Sequence, residues 1–238
     1  MPRHNHKSKY DRGLYIMAEI VIIGTGETAE IAHQYFTLDS HDTVVAFSVE
    51  QQFLTQDVFN GLPVIALEEL EHHFPPADLL AFIAVSSTKL NRVRTRLYRQ
   101  LKDRGYRFAT YISSRAFVWR NAEIGENCFI FENNTVQPFV KIGNNVTLWS
   151  GNHIGHNTTI CDNCFIASHV VISGFCEIGE NCFLGVNSTI INNVKVARDC
   201  FIGAGALIQK DTEEGKVYQC AGTEASKVGS LRLFKIKE

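Results

Sequence analysis

The sequence predicts a small parallel α/β domain over residues 18–111, followed by a three-sided parallel β-prism over residues 112–222. Three observations carry this prediction. Every sixth residue from Ile112 to Ile208 is Ile, Leu or Val, seventeen positions in succession without a slip. Residues 18–110 instead alternate apolar, strand-like runs with helical stretches. The first of those runs ends in the turn Gly24-Thr25-Gly26-Glu27-Thr28-Ala29, which opens a helix.

A short apolar strand at Glu19–Ile23 begins the α/β domain, and a helix follows to about Leu38. Val44–Val49 is the second strand, Leu62–Ile65 a short one at the edge, and Leu67–His73 a short helix. Asp78–Ala84 is the next strand, Lys89–Gly105 a basic amphipathic helix, and Phe108–Ile112 a last strand that enters the prism. Strands and helices in alternation mark a parallel sheet with helices on its faces. The GxGxxA turn after the first strand makes the domain Rossmann-like, because backbone N–H groups and a helix N-terminus there face an anion. A tight turn without a ligand uses the same glycines, so the motif alone is weak. Glu50 lies near the end of the second strand, where an NAD site wants an acid, but the domain is short for a dinucleotide fold. A mononucleotide or a nucleotide-sugar fits its size better.

A period of six fits neither the 3.6 of an α-helix nor a plain alternating strand. It fits a chain in which each short strand makes one flat side, one aliphatic points to the axis, and three sides close an 18-residue coil. Residues 18 apart then stack about 4.8 Å from one another. The position two before each aliphatic is also inward, and Val146, Cys164, Cys182 and Cys200 form one such column. Gly follows the aliphatic at Gly125, Gly143, Gly155, Gly179, Gly185 and Gly203, and Asn recurs at the corners. Both residues are expected to supply the positive φ of a sharp corner.

The chain of 238 residues carries 23 Lys and Arg against 25 Asp and Glu, a formal charge of −2, which gives no argument for nucleic acid or a membrane surface. No apolar run reaches the roughly 18 residues that span a bilayer, so no membrane insertion is expected. Residues 1–17 are expected to form a flexible extension and residues 223–238 a C-terminal tail. The first sixteen lack the apolar stretch of a signal peptide, and Met17 is a candidate start. Five of the seven cysteines fall on inward positions, where a free thiol acts as a small hydrophobe and suits a reducing, cytoplasmic setting. Cys161 and Cys164 make a lone CxxC, but the register sends Cys164 into the core, and no metal site is expected.

The prism carries three histidines, His153, His156 and His169. Ile154 points inward, so His153 points outward and His156 lies near the next corner. A lone outward histidine is ordinary surface, whereas two histidines three apart in mid-prism favour function. Gly174 follows His156 by 18 residues, one coil away in the same column. A base one strand spacing from a glycine N–H meets the two demands of acyl transfer, proton removal from the nucleophile and support of an oxyanion. A smooth prism has no cleft of its own, so a site on it lies between prisms and implies an oligomer.

The hexad run, with an α/β domain and a GxG turn ahead of it, resembles the hexapeptide-repeat sugar N/O-acyltransferases. That family includes the bacillosamine-pathway N-acetyltransferase and the sialic acid O-acetyltransferase group. The resemblance covers about residues 18–222. It implies a left-handed parallel β-helix, an exception to the usual crossover hand. It also implies a homotrimer in which acetyl-CoA and a nucleotide-linked amino sugar meet between neighbours. By the same resemblance His156 is the general base, Asn157 stands beside it where the family has an acidic residue, and Gly174 N–H holds the thioester carbonyl. His153-Ile154-Gly155-His156-Asn157 is also similar to the HIAHD segment of lipid A acyltransferases.

Gly24, Gly26, Glu27, Thr28, Ser48, Ala84, Val85 and Ser86 fall where the resemblance implies a nucleotide-sugar, and His153 and His169 toward the acceptor. Phe183, Gly185, Asn187, Gly203, Ala204, Lys210 and Gly222, with Gly174, fall where it implies coenzyme A. Two departures bear on the substrate. The family's GGH in the first turn reads Gly26-Glu27-Thr28, and Phe47-Ser48-Val49 replaces an acidic pair after the second strand. UDP, dTDP and GDP therefore stay open. The expected function is acetyl-CoA-dependent N-acetylation of a nucleotide-linked amino sugar for bacterial surface glycan. A sugar O-acetyltransferase of the sialic acid type, a non-catalytic trimeric nucleotide-sugar-binding protein and, on the glycine turn alone, an NAD-dependent oxidoreductase are the alternatives.

Overall fold

The computed structural model describes residues 17–236, so the extension expected at residues 1–17 lies, Met17 apart, outside the described residues. The hexad turns directly into backbone. From Tyr111–Ile112 to Leu207–Ile208 the chain makes a two-residue strand every six residues, each ending on the aliphatic. The strands sort into three faces. The first holds Tyr111–Ile112, Phe129–Ile130, Thr147–Leu148, Phe165–Ile166, Phe183–Leu184 and Phe201–Ile202, and gains Val217–Tyr218. The second runs from Phe117–Val118 through His153–Ile154 to Leu207–Ile208, and the third from Glu123–Ile124 to Lys195–Val196. Neighbours pair in parallel with an 18-residue register, His153 opposite Val171 for example. All seventeen aliphatics share one core. Only Ile112, Val118 and Ile124, in the first coil, are half-buried rather than buried. The inward cysteines are free and buried, and burial pushes the Cys128 thiol up to about 12, which makes it a hydrophobe rather than a nucleophile.

The corners correct one expectation. From Ile124 to Ile202 positive φ falls three residues after each aliphatic, not on the glycine that follows it. Asn127, Asn133, Asn145, Asn157, Asn163, Asn181, Asn187 and Asn193 take φ of 53–64° there. Phe139, Phe175 and His169 occupy the same position at φ 64°, 61° and 59°. Asn tolerates this conformation, while a bulky side chain in it costs of order 1 kcal/mol or more. The glycines answer a different need, close stacking of coils. A Cβ on Gly155 would lie 2.5 Å from Gly174 N, and one on Gly185 2.6 Å from Ala204 N.

The α/β domain comprises β1 (Glu19–Ile23), α1 (Glu27–Asp39), β2 (Thr43–Val49), β3 (Val58–Phe59), β4 (Leu62–Ala66), α2 (Leu70–His73), β5 (Leu80–Ile83), α3 (Arg92–Asp103) and β6 (Arg107–Phe108). The sheet order is β3-β4-β2-β1-β5-β6, parallel except for the β3–β4 pair. β3 was not anticipated, and it takes the edge position expected of β4. Lys89, Leu90 and Asn91 have φ of 52°, 50° and 63°, so α3 begins at Arg92 rather than Lys89. The last expected strand splits, with β6 closing the sheet and Tyr111–Ile112 opening the prism.

The domain lies on the prism's first face. Tyr35, Phe36 and Phe82 meet Tyr111, Phe129 and Phe131 at ring-centroid distances of 5.0–5.9 Å, mostly edge to face. Such pairs add stabilisation beyond their burial. α3 follows the corner between the third and first faces. Its Arg94, 3% exposed, donates to Asn127 O at 2.9 Å and to Thr147 Oγ1. Burial pushes that guanidinium down to about 10, which leaves it charged at neutral pH. At the end of α1, Asp39 accepts from Tyr111 Oη at 2.6 Å and from Ser114 N–H at 2.9 Å. Glu132 likewise accepts from Tyr35 Oη at 2.6 Å and Ser150 Oγ at 2.7 Å.

Candidate active site

β1, β2 and β5 end together at a cavity of about 450 Å³. Its wall contains Gly24, Gly26, Glu27, Thr28, Ser48, Ala84, Val85 and Ser86, so the structure brings all eight together. Gly24 has φ 126°, and a Cβ there would lie 2.8 Å from Ala84 O, so no side chain fits. Gly26 caps α1 and faces open space, which leaves the helix N-terminus accessible from the cavity. Ser48 Oγ is buried and, among the described residues, has no hydrogen-bond partner. Glu50 is held by Arg96 through two bonds of 2.9 and 2.8 Å, so the carboxylate that an NAD ribose would want is engaged. Glu27, in the first turn of α1, complements the helix dipole but opposes a diphosphate placed beside it. The opposite wall was not foreseen. It includes Phe53, Val93, Leu97 and Trp149, and the indole of Trp149 stacks on Phe131 at 4.6 Å and 14°. Trp149 comes from the prism, and its sequence signal was no more than an outward position after Leu148.

His156 stands exposed on the corner between the second and third faces. Its column with Gly174 is real, because a Cβ on Gly174 would lie 2.8 Å from His156 Cε1. The Phe175 ring meets the imidazole edge-on at 5.0 Å. Two hydrogen bonds bear on the roles expected of Asn157 and Gly174. Asn157 does not hold the imidazole. It occupies the left-handed corner position at φ 56°, exposed, and among the described residues no hydrogen bond joins it to His156. Gln137, from the preceding coil, takes that place. Its Oε1 accepts the His156 backbone N–H at 2.9 Å and lies 3.2 Å from Nδ1. Nor is the Gly174 N–H free, since it donates to Asn192 Oδ1 at 3.0 Å.

The other expected residues divide between places. His153 sits half-buried on the second face, between Thr135 and Val171. His169 lies on the corner between the first and second faces, against Gly151, where a Cβ would meet its ring at 2.6 Å. One prism side, up to about 20 Å of extended chain, separates that corner from His156. Gly185, Asn187, Gly203 and Ala204 share the corner of His169 on higher coils. Phe183 leads into it from the first face, stacked between Phe165 and Phe201 at 5.5 and 4.9 Å. Lys210 and Gly222 lie exposed beyond the last full coil. Trp149 belongs to this corner too, so one chain places the cavity with Phe183, Gly185, Asn187, Gly203 and Ala204 on one corner, and His156 with Gly174 on another. Among the described residues no group of His, Cys, Asp and Glu could hold a metal ion, and no helix is long and apolar enough to cross a membrane.

A parallel three-sided prism of six-residue repeats, with an α/β domain at its N-terminal end, defines the class of hexapeptide-repeat proteins. The bacterial transferase hexapeptide (six repeats) family matches residues 121–154, 139–174 and 175–210, all within the prism. No curated protein matches the chain. Among solved structures, a variant of perosamine N-acetyltransferase from Caulobacter crescentus, in complex with CoA and GDP-perosamine, is 22% identical. It superimposes with a TM-score of 0.76 over 85% of this chain and 93% of that one. The acetyltransferase domain of PglB from Neisseria gonorrhoeae FA1090 is also 22% identical, with a TM-score of 0.74 over 84% of this chain and 95% of that one. At that identity the likeness is one of fold, and it carries the handedness with it. An α/β domain followed by a left-handed parallel β-helix is the fold of this chain.

Proposed function

We propose that the protein is a sugar acetyltransferase that moves an acetyl group from acetyl-CoA to the amino group of a nucleotide-linked amino sugar. The observation that carries this reading is the imidazole of His156 laid against Gly174 on an open corner of the prism. Two proteins of similar fold add support, one solved with CoA and GDP-perosamine and one with acetyl coenzyme A. The nucleotide would lie in the cavity at the ends of β1, β2 and β5, with the N-terminus of α1 at Gly26 toward its phosphates. Acetyl-CoA would supply the acyl group along the same corner, past the exposed Asn187 and Ala204. As the amine nitrogen bonds to the thioester carbon, His156 Nε2 takes the amine proton. Gly174 N–H supports the oxyanion once Asn192 yields it, the C–S bond breaks, and His156 returns the proton to the thiolate sulfur. No residue is acylated. Because cavity and base occupy different corners of one chain, the base serving a given cavity would come from a neighbour in a homotrimer.

The test is a panel of UDP-, dTDP- and GDP-linked amino sugars incubated with acetyl-CoA and read by mass. One of them should gain an acetyl group stable to mild base, and His156→Ala should abolish the gain. A base-labile ester would favour the O-acetyltransferase. The non-catalytic alternative has one observation of its own, the engagement of Gly174 N–H by Asn192. Nucleotide-sugar binding by calorimetry without acetylation of any acceptor would establish it.

A further inference from the structure

The polar side chain nearest the candidate base comes from another coil. We infer that Gln137 is the positioning residue of this site, holding His156 in the tautomer that carries its proton on Nδ1 and leaves Nε2 free to accept one. The inference rests on the reading of His156 as the base. A glutamine amide can be placed either way round, but here the backbone decides. His156 N–H, at 2.9 Å, can be accepted only by the amide oxygen, since the NH₂ group would set donor against donor. The same oxygen lies 3.2 Å from His156 Nδ1. An acceptor facing Nδ1 requires a proton on Nδ1, and a neutral imidazole has one proton to place. Nε2 is therefore the basic nitrogen.

The ring is confined on other sides by Gly174 and by the edge of Phe175. None of Gln137, Gly174 and Phe175 is titratable, and no carboxylate or cation among the described residues is bonded to the imidazole. Gln137 thus fixes orientation as a carboxylate would, without the charge that would stabilise the imidazolium. A purely structural Gln137 would tie coil to coil through the backbone N–H alone and leave the tautomer unset.

Long-range ¹H–¹⁵N spectra of the imidazoles in the full chain separate these roles without any substrate. The wild-type His156 should show a protonated Nδ1 and a bare Nε2. Gln137→Ala should lose that preference and lower kcat about 10- to 100-fold with KM little changed, the range known for groups that orient metal-bound imidazoles. Gln137→Glu should keep the tautomer, retain activity and raise the pH at which His156 titrates, moving the low-pH limb of kcat upward. It also serves if Gln137→Ala fails to fold. A wild-type His156 protonated on Nε2, or a tautomer unchanged in Gln137→Ala, would overturn the inference, as would a Gln137→Ala variant that loses melting temperature but keeps kcat. Full activity in His156→Ala would instead remove the histidine as base and leave the spectroscopic result standing.

Discussion

The corner that carries Trp149, His169 and Gly185 is walled at its foot by the α/β domain. Among the described residues, no element packs over the corner that carries Gln137, His156 and Gly174, and Phe139 and Phe175 stand 60% and 56% exposed there. Both corners follow the same hexad and the same left-handed third residue. What differs lies outside the repeat. The repeat decides where a side chain stands, and whatever covers the corner decides whether it becomes part of a pocket. An exposed aromatic in a left-handed backbone carries strain and gains no burial, and the proposed homotrimer would account for Phe139 and Phe175 by covering them. In a trimer, the covered corner of one chain would face the bare corner of the next.

The largest expected effect tests which corner holds the chemistry. His156→Ala should lower kcat by 10²–10⁴-fold, the range for loss of a general base. His169→Ala should change it only a few-fold, and steady-state rates showing the reverse would exchange the roles of the two corners. Next comes assembly. Phe175→Asp should shift the protein to a smaller species in sedimentation and lose activity with it. Trp149→Ala, on the other corner, should keep the assembly and weaken nucleotide-sugar binding about tenfold or more by calorimetry, since base–aromatic stacking is worth about 1–3 kcal/mol.

A matched pair of glycines tests the stacking rule. Gly155→Ala places a Cβ 2.5 Å from Gly174 N and should lower stability by roughly 1–3 kcal/mol in urea unfolding, as overpacking does. Gly222→Ala meets nothing within 4 Å and should leave stability unchanged.

The smallest effect concerns acid. Burial alone would push Asp39 up, but bonds from Ser114, Tyr111 and Ser113 outweigh it and hold the carboxyl below its ordinary 3.8. Burial likewise opposes ionisation of Glu132, and bonds from Tyr35 and Ser150 hold it below 4.5. Carboxyls depressed in the folded state contribute stability that is complete above their unfolded values and is lost as pH falls through the folded ones. The hold of the α/β domain on the prism should therefore weaken below about pH 4. Asp39→Asn and Glu132→Gln should each flatten the dependence of unfolding free energy on pH in that range.

The prism was legible because a period of six is a geometric statement: 18-residue columns placed Gly174 against His156 before any coordinates did. The same 18-residue rule stacks Asn192 on Gly174. Gln137 was out of reach, because a bond between residues 19 apart joins adjacent columns and depends on a side-chain rotamer that periodicity does not encode. The corner glycines were assigned to positive φ because Gly and Asn share that tolerance. The coordinates separate the two demands, φ for the third residue and coil spacing for the first. Trp149 belonged to the cavity only through the way two independently folded cores meet, which no local pattern carries.

The unbroken register also makes the prism a ruler with fixed gradations. Deleting one residue between Ile112 and Ile208 would turn every later aliphatic from the axis to a corner, so small insertions survive only as loops expelled from the corners. Lengthening that preserves the core comes in whole coils of 18. A coil added between Trp149 and His153 would lift His156 by one rung, about 4.8 Å, relative to the cavity that Trp149 lines. The height of His156 above the α/β domain is therefore quantised. A lineage of such chains could adjust the reach between cavity and histidine only in steps longer than a chemical bond, and under the proposed function the finer fitting to a given sugar would fall to side chains around His156 such as Gln137 and Phe175.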